Sequence, residues 1–304
     1  MSLQAALAFV LANDQTREKL RDRPLEVQRN FGLDDEEMSF LLSLDPKRLA
    51  LSAAICKGRR LDRIRWGLPA TITALKLAQR ESLLNTFVRA SWPEVKLGET
   101  SLAPRECHLF TNYLHTCEHD EISAVLSNLA DFELAQLDLS LSCEASLCAQ
   151  QLREHATETR TLINGHINKI DSLQVVLGKH VQLKRFNYDV MSLYQTLRRG
   201  LQCSLLKFRA IDNYVTFVKN LQMRQSIVPY RTGEILFKML NHCKQPCSTA
   251  EMLAIAGPAN EQLAIDALRD SLHRSVLLFL HVNAGPTALG PTKSRLVPTL
   301  RLTM

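Results

Sequence analysis

The stretch from Tyr214 to Val282 constrains this chain more than any other. Tyr214-Val215-Thr216-Phe217-Val218-Lys219 and Arg224-Gln225-Ser226-Ile227-Val228 are rich in β-branched and aromatic residues, and an Asn220-containing joint separates them. That is the pattern of a hairpin. Three helical segments and an apolar run follow. In the first, Ile235, Leu236, Met239, Leu240 and Cys243 recur at helical spacing. After Pro246, Ser248 and Glu251 form a capping box, with Cys247 and Met252 placed to staple it. Asn260 opens the third helix, whose Leu263, Ala264, Ala267, Leu268 and Leu272 face one way. Val276-Leu277-Leu278-Phe279-Leu280 is short, apolar and strand-like. A hairpin, three helices and a strand make a winged-helix-like module, a class that binds nucleic acid or a peptide.

The residues before this module have a different texture. Gly32 ends one helix, and Asp34 with Glu37 caps the next. Asp45-Pro46 opens another, with Pro where a missing N–H costs nothing. Arg59 to Ala90 carries long apolar periodicity, broken at Gly67-Leu68-Pro69, and Pro69 suits a helix start. Trp92-Pro93 reads as a loop, and Pro104–Cys117 and Glu121–Gln136 continue the helical pattern. Ser140 to Ile170 is polar and helical. Val175-Val176-Leu177 and Val181–Phe186 are strand-like, and Asp189 can cap a helix through Leu197. The expected class is therefore α+β. A helical domain over 1–139 and a helical connector over 140–172 precede a winged-helix-like domain over 173–283. An extended tail over 284–304 follows.

A chain of 304 residues can bury two cores. Leu3 to Ala12 is apolar, but no basic region precedes it and no stop-transfer run follows, so it reads as a first helix. The expected location is cytoplasmic, without a membrane partner, and the eight cysteines are expected as reduced thiols. The net charge of +6 hides an asymmetry: from Gln174 onward there are 17 Lys/Arg against 7 Asp/Glu. That half should attract an anionic partner.

Catalytic signals are few. His115-Thr116-Cys117-Glu118-His119-Asp120 is dense in donors but has no second ligand pair at a zinc spacing. Cys243 and Cys247 are not C-x-x-C and read as core thiols. Cys107 and His108 are neighbours on a helix and point apart. G-x-S-x-G, a P-loop and a dinucleotide fingerprint are all missing. The expectation is a chain with no cofactor and no catalytic residue of its own. A DNA-binding regulator would need a cationic third helix, yet Asn260 to Arg274 sets Glu261, Asp266 and Asp270 against Arg269 and Arg274. The basic residues lie instead on strands and joints: Lys179, Lys184, Arg185, Lys207, Arg209, Lys219, Arg224 and Arg231. This favours an acidic peptide that adds as a strand, and no nucleic acid. The expected edge is Arg224, Ser226, Ile227 and Val228, with Lys219 as a nearby charge and Pro229 ending the pairing. Ile227 or Val228 with Leu268 and Leu272 would line the groove. The alternatives are a winged-helix DNA-binding transcriptional regulator and a stand-alone thiol or metal enzyme.

Val181-Gln182-Leu183 through Tyr188-Asp189-Val190, the Tyr214–Val228 hairpin and the Arg231–Val282 helices resemble the leader-recognition domain of ribosomal peptide natural-product pathways. Arg63 to Tyr113, with Leu68-Pro69, Phe87, Trp92-Pro93 and Phe110, resembles the helical domain of companion proteins to multinuclear non-haem iron oxidases. In length and layout the chain is similar to the TglI-like subunits of 3-thiaglutamate biosynthesis, and more distantly to MbnC-like and HvfC-like proteins. The resemblance implies a non-catalytic subunit of a heterodimer. A TglH-like barrel oxidase would carry the iron, and this chain would present the C-terminal cysteine of a carrier peptide for oxidative β-carbon excision. The helical half would then meet the oxidase.

Overall fold

The computed structural model describes residues 3–90, 102–117, 120–154, 174–201, 203–205, 208, 210–220, 226–274 and 276–279. Arg224, the tail from Ala284, Trp92-Pro93, His119, Lys207 and Arg209 lie outside them, as does most of the expected connector. The fold is α+β, mostly helical, with small antiparallel sheets. It divides into two compact units, 1–134 with 192–209 and 135–191 with 210–304.

The helical unit begins with α1 (Leu3–Ala12), α2 (Asp14–Asp22), α3 (Pro24–Phe31) and α4 (Asp35–Ser43). They close around Ala6, Val10, Leu20, Val27, Phe31, Met38 and Leu41. Gly32 leaves α3 at φ 62°, a left-handed cap that glycine adopts without strain. Asp34 and Glu37 form the reciprocal capping box of α4. Asp45 caps α5 (Pro46–Gly67), and α6 (Pro69–Leu77), α7 (Glu81–Ala90) and α8 (Leu102–Thr116) follow. Arg60 on α5 is 3% exposed and forks onto Glu106 of α8 at 2.8 and 3.1 Å, while Nη1 also donates to the Val88 carbonyl at 2.9 Å. With every charge answered, this buried pair locks three helices in register.

α6 has no cap in its own sequence, because Leu68 precedes it. Glu133 on α9 (Glu121–Leu141) takes that role, accepting the Ala70 and Thr71 N–H groups at 2.8 and 2.7 Å. The segment 192–209 joins the helical unit rather than the C-terminal domain expected from the sequence. Tyr194 of α11 (Val190–Arg198) packs on Phe132 with ring centroids 5.0 Å apart, and Arg198 acts electrostatically on Glu133.

The second unit contains the end of α9, α10 (Cys143–Glu154) and two three-stranded sheets. One orders β2 (Val181–Tyr188), β3 (Ala210–Asn220) and β4 (Ser226–Thr232); the other orders β5 (Cys247–Ser248), β1 (Gln174–Leu177) and β6 (Leu277–Phe279). α12 (Glu234–His242), α13 (Thr249–Ala256) and α14 (Glu261–His273) complete it. Ser248 and Glu251 make their capping box at the start of α13. Met239, Leu240, Cys243, Cys247, Met252, Leu268 and Leu272 share one core with Val175, Val218 and Leu277. Leu263 departs from its expected face: it is 65% exposed, while Ala264, Leu268 and Leu272 turn inward.

Burial pushes the Glu133 carboxyl up to about 7, against the lowering pull of the two N–H groups and Arg198. A folded-state value above the unfolded one means that the folded chain holds this proton more tightly. The associated stability is fully present below the ordinary carboxylate range and is lost as pH rises through about 7. Chemical unfolding of the wild type and Glu133→Gln at pH 8 and pH 5.5 tests this. The wild type should gain about 2 kcal/mol on the variant at the lower pH. A difference independent of pH contradicts the assignment.

Candidate functional site

Among the described residues β4 is the end strand of its sheet, and the alternation of β3 decides which of its backbone groups face outward. The Lys219 N–H donates to the His180 carbonyl at 2.9 Å, on the β2 side. In an antiparallel strand both polar groups of a residue point the same way and neighbours alternate. Lys219, Phe217 and Val215 therefore bond toward β2, and Asn220, Val218, Thr216 and Tyr214 bond toward β4. The β4 partners of the latter are Ser226, Val228, Tyr230 and Thr232. Ile227, Pro229 and Arg231 are left with their backbone groups facing outward.

This arrangement corrects two expectations. Pairing does not stop at Pro229 but continues to Thr232, because the N–H that proline lacks would have faced the open side. Ser226 bonds inward to Asn220, so it is a ladder residue and not a recognition donor. Among these outward groups is the Ile227 N–H.

The side chains of β4 also alternate. Tyr230 packs against the helical core and lies under the Arg274 guanidinium at 5.3 Å, so the C-terminal end of α14 flanks the strand. Arg231 turns to the other face and reaches Asp189 at 2.5 Å. Ile227 and Val228 are half-buried. Leu268 and Leu272, expected in a groove, are each 0% exposed and belong to the core. The surface beside β4 is supplied by Tyr230 and Arg274 instead.

Lys219 is the largest correction. It is 2% exposed, and its Nζ donates to the Leu139 and Ser140 carbonyls at 3.2 and 2.7 Å and to Ser146 Oγ at 2.6 Å, with the Ser142 carbonyl at 3.4 Å. Those carbonyls belong to the last turn of α9 and its exit, where a helix leaves acceptors unpaired and its dipole favours a cation. Burial draws the ammonium pKa down, and Cys143 acts in the opposite sense. Sequence reasoning took Lys219 for a solvated strand charge because its acceptors lie 73 to 80 residues away.

The other candidates resolve separately. His115 Nε2 meets Asp131 at 2.9 Å rather than its neighbours in sequence. Cys107 is buried and its thiol donates to the Arg63 carbonyl, while His108 is exposed. A pair missed in the sequence is Cys148 Sγ and His180 Nδ1, 3.3 Å apart and both buried. Burial raises the Cys148 pKa, so this pair is a sealed contact. A Cβ at Gly178 would stand 2.4 Å from the His180 ring, which accounts for that glycine. Among the described residues, His242, Cys247 and Glu251 bring three possible metal donors within 4.8 Å of one another. No family model matches the sequence, and no curated protein matches it.

Lys219→Glu should unfold the chain at markedly lower denaturant, by about 3–5 kcal/mol, because a carboxylate would face carbonyls in a dry site. Urea unfolding followed by circular dichroism measures this. Wild-type stability in the variant would return Lys219 to the surface role.

Proposed function

We propose that this chain is the non-catalytic, peptide-presenting subunit of a TglH-like iron oxidase, with β2–β4 and α12–α14 acting as a winged-helix-like recognition module. The observation that carries this reading is the β4 edge, which no other described strand covers and which α14 flanks. An acidic carrier peptide adding there as a strand gains a main-chain bond from the outward Ile227 N–H, and its alternate side chains meet Tyr230 and Arg274. Capture raises the local concentration of the peptide's cysteine end at the oxidase. The iron belongs to the partner; this chain binds and orients. A DNA reader is less well supported, since Arg269 and Arg274 of α14 are paired with Asp266 and Asp270 at 3.6 and 2.8 Å.

The helical half has a surface suited to the oxidase. Leu51, Ile55 and Trp66 of α5 are 63%, 49% and 64% exposed. At roughly 100° per residue they fall within about 60° of arc, on one face. Asp62 falls in the same arc and is exposed, so the face is mixed rather than a continuous apolar stripe. Folding does not require the Trp66 indole in water, and we take it as the anchor of a binding surface. Trp66→Asp should weaken association with a co-expressed oxidase by about 30-fold or more, the scale of a central aromatic anchor, and leave peptide affinity unchanged. Unaltered co-purification of the pair would remove α5 from the interface.

Hydrogen exchange tests the edge residue by residue. Adding a cysteine-terminated carrier peptide should protect the Ile227 amide, while Val228, Tyr230 and Thr232 are already protected by β3. Ile227→Pro removes one outward donor and should weaken capture about 2- to 10-fold, the worth of one net hydrogen bond, without loosening the sheet. Ser226→Pro should instead damage the β3–β4 ladder. Protection confined to the helical unit, or steeply salt-dependent binding to DNA of any sequence, overturns the reading.

A further inference from the structure

α12 ends at His242 and α13 begins at Thr249, and the turn between them gathers more donor chemistry than a turn needs. Cys243 closes α12, its N–H bonded to Met239 and Leu240. Cys247 opens β5 and pairs with Val175 of β1. Ser248 caps α13 and Glu251 answers it. The side-chain donors of His242, Cys247 and Glu251 lie within 4.8 Å of one another. Cys243 Sγ stands outside that trio: it adjoins only Cys247 Sγ, at 3.2 Å, and donates to the Met239 carbonyl at 3.3 Å, so it must turn from its own helix to complete a set of four. We propose that His242, Cys243, Cys247 and Glu251 form a binding site for a zinc-type divalent ion that ties the end of α12 to the start of α13.

The donor types select the ion. Two sulfurs, an imidazole nitrogen and a carboxylate oxygen suit zinc in a four-coordinate site, whereas Mg²⁺ and Ca²⁺ require oxygen shells. Zn–S bonds of about 2.3 Å at a tetrahedral angle set two sulfurs about 3.7 Å apart, so the thiols need to part by about half an ångström. The site has a floor and a mouth: both cysteines are buried, and His242 and Glu251 are exposed. Outer partners hold the ligands. Ser248 N–H donates to Glu251 Oε2 at 2.8 Å, leaving Oε1 for the ion, and Leu177 N–H holds the Cys243 carbonyl at 2.7 Å.

Fold requirements account for only part of this set. A capping box asks for Ser248 and Glu251, and a staple asks for apolar groups at 247 and 252. Neither asks for His242 or for a second thiol against the first. Binding balances by exchange: Zn²⁺ and two thiols give two Zn–S bonds and two protons released to buffer.

The test uses the full chain, purified in reductant, stripped with a chelator and dialysed. Zinc is titrated against a chromophoric chelator, with proton release read in weak buffer, and Co²⁺ is titrated in parallel. One zinc per chain should bind, releasing up to two protons, and cobalt should give tetrahedral bands with thiolate charge transfer. His242→Ala changes an exposed side chain and should lower zinc affinity at least tenfold, on the scale that even outer-shell losses reach, with an unchanged circular dichroism spectrum. Cys247→Ser should reduce the charge-transfer band. The proposal is overturned by the absence of stoichiometric zinc, by affinity unchanged in the His242→Ala/Glu251→Gln double variant, or by a Cys243–Cys247 disulfide in protein handled without oxygen.

Discussion

One residue of β3 sets the chemistry of both faces of the sheet-bearing unit. The Lys219 side chain gathers carbonyls from the end of α9 and Ser146 of α10, binding the sheet to the helical layer beneath it. Its backbone N–H turns toward β2. Because strand residues alternate, that orientation passes through β3 to β4 and leaves Ile227, Pro229 and Arg231 facing outward. A one-residue slip would bury the proline's missing donor inside the ladder and turn the ammonium away from its acceptors. Register and the buried cation are thus two expressions of one constraint.

Local chemistry was legible in the sequence, and its legibility has a physical cause. The Asp34–Glu37 and Ser248–Glu251 boxes, the Asp45-Pro46 start, Pro69 and Gly32 each act within one turn of their own position. Neighbouring residues alone decide them, so spacing suffices. The strands of the hairpin were legible for the same reason, from β-branched texture. Their exact ends were not: β4 runs through Pro229 because the open side of the sheet, not the residue type, decides whether a proline is tolerated.

Long-range chemistry was hidden. Glu133 caps a helix 62 and 63 residues before it, and Arg60 meets Glu106 across 46 residues. Cys148 and His180 meet across 32. In each case a charged or polar side chain reads as a surface residue until its partner is known, because burial of such groups depends wholly on being answered. The candidate site suffered most from this. Lys219 was counted among exposed charges, and Leu268 and Leu272 were placed in a groove when the core uses both. Arg274 and Tyr230, which flank the edge, gave no signal beyond their residue types.

What remains after the fold has been accounted for is where function is to be sought. Capping, stapling and core packing explain nearly every side chain of α13, and buried ion pairing explains Arg60 and Glu106. They do not explain an indole held in water on α5, the Ile227 backbone turned outward on β4 beside a helix terminus, or an imidazole and a carboxylate gathered at the mouth of a corner whose floor is two core thiols. Each of these departs from what stability alone would choose, and agreement among levels elsewhere in the chain makes the departures stand out. The readings proposed for them ask for different chemistry: apolar surface for a protein, main-chain bonds for a peptide, and soft donors for an ion. Because the three features lie on different elements, each reading can fail without the others, and each has its own measurement.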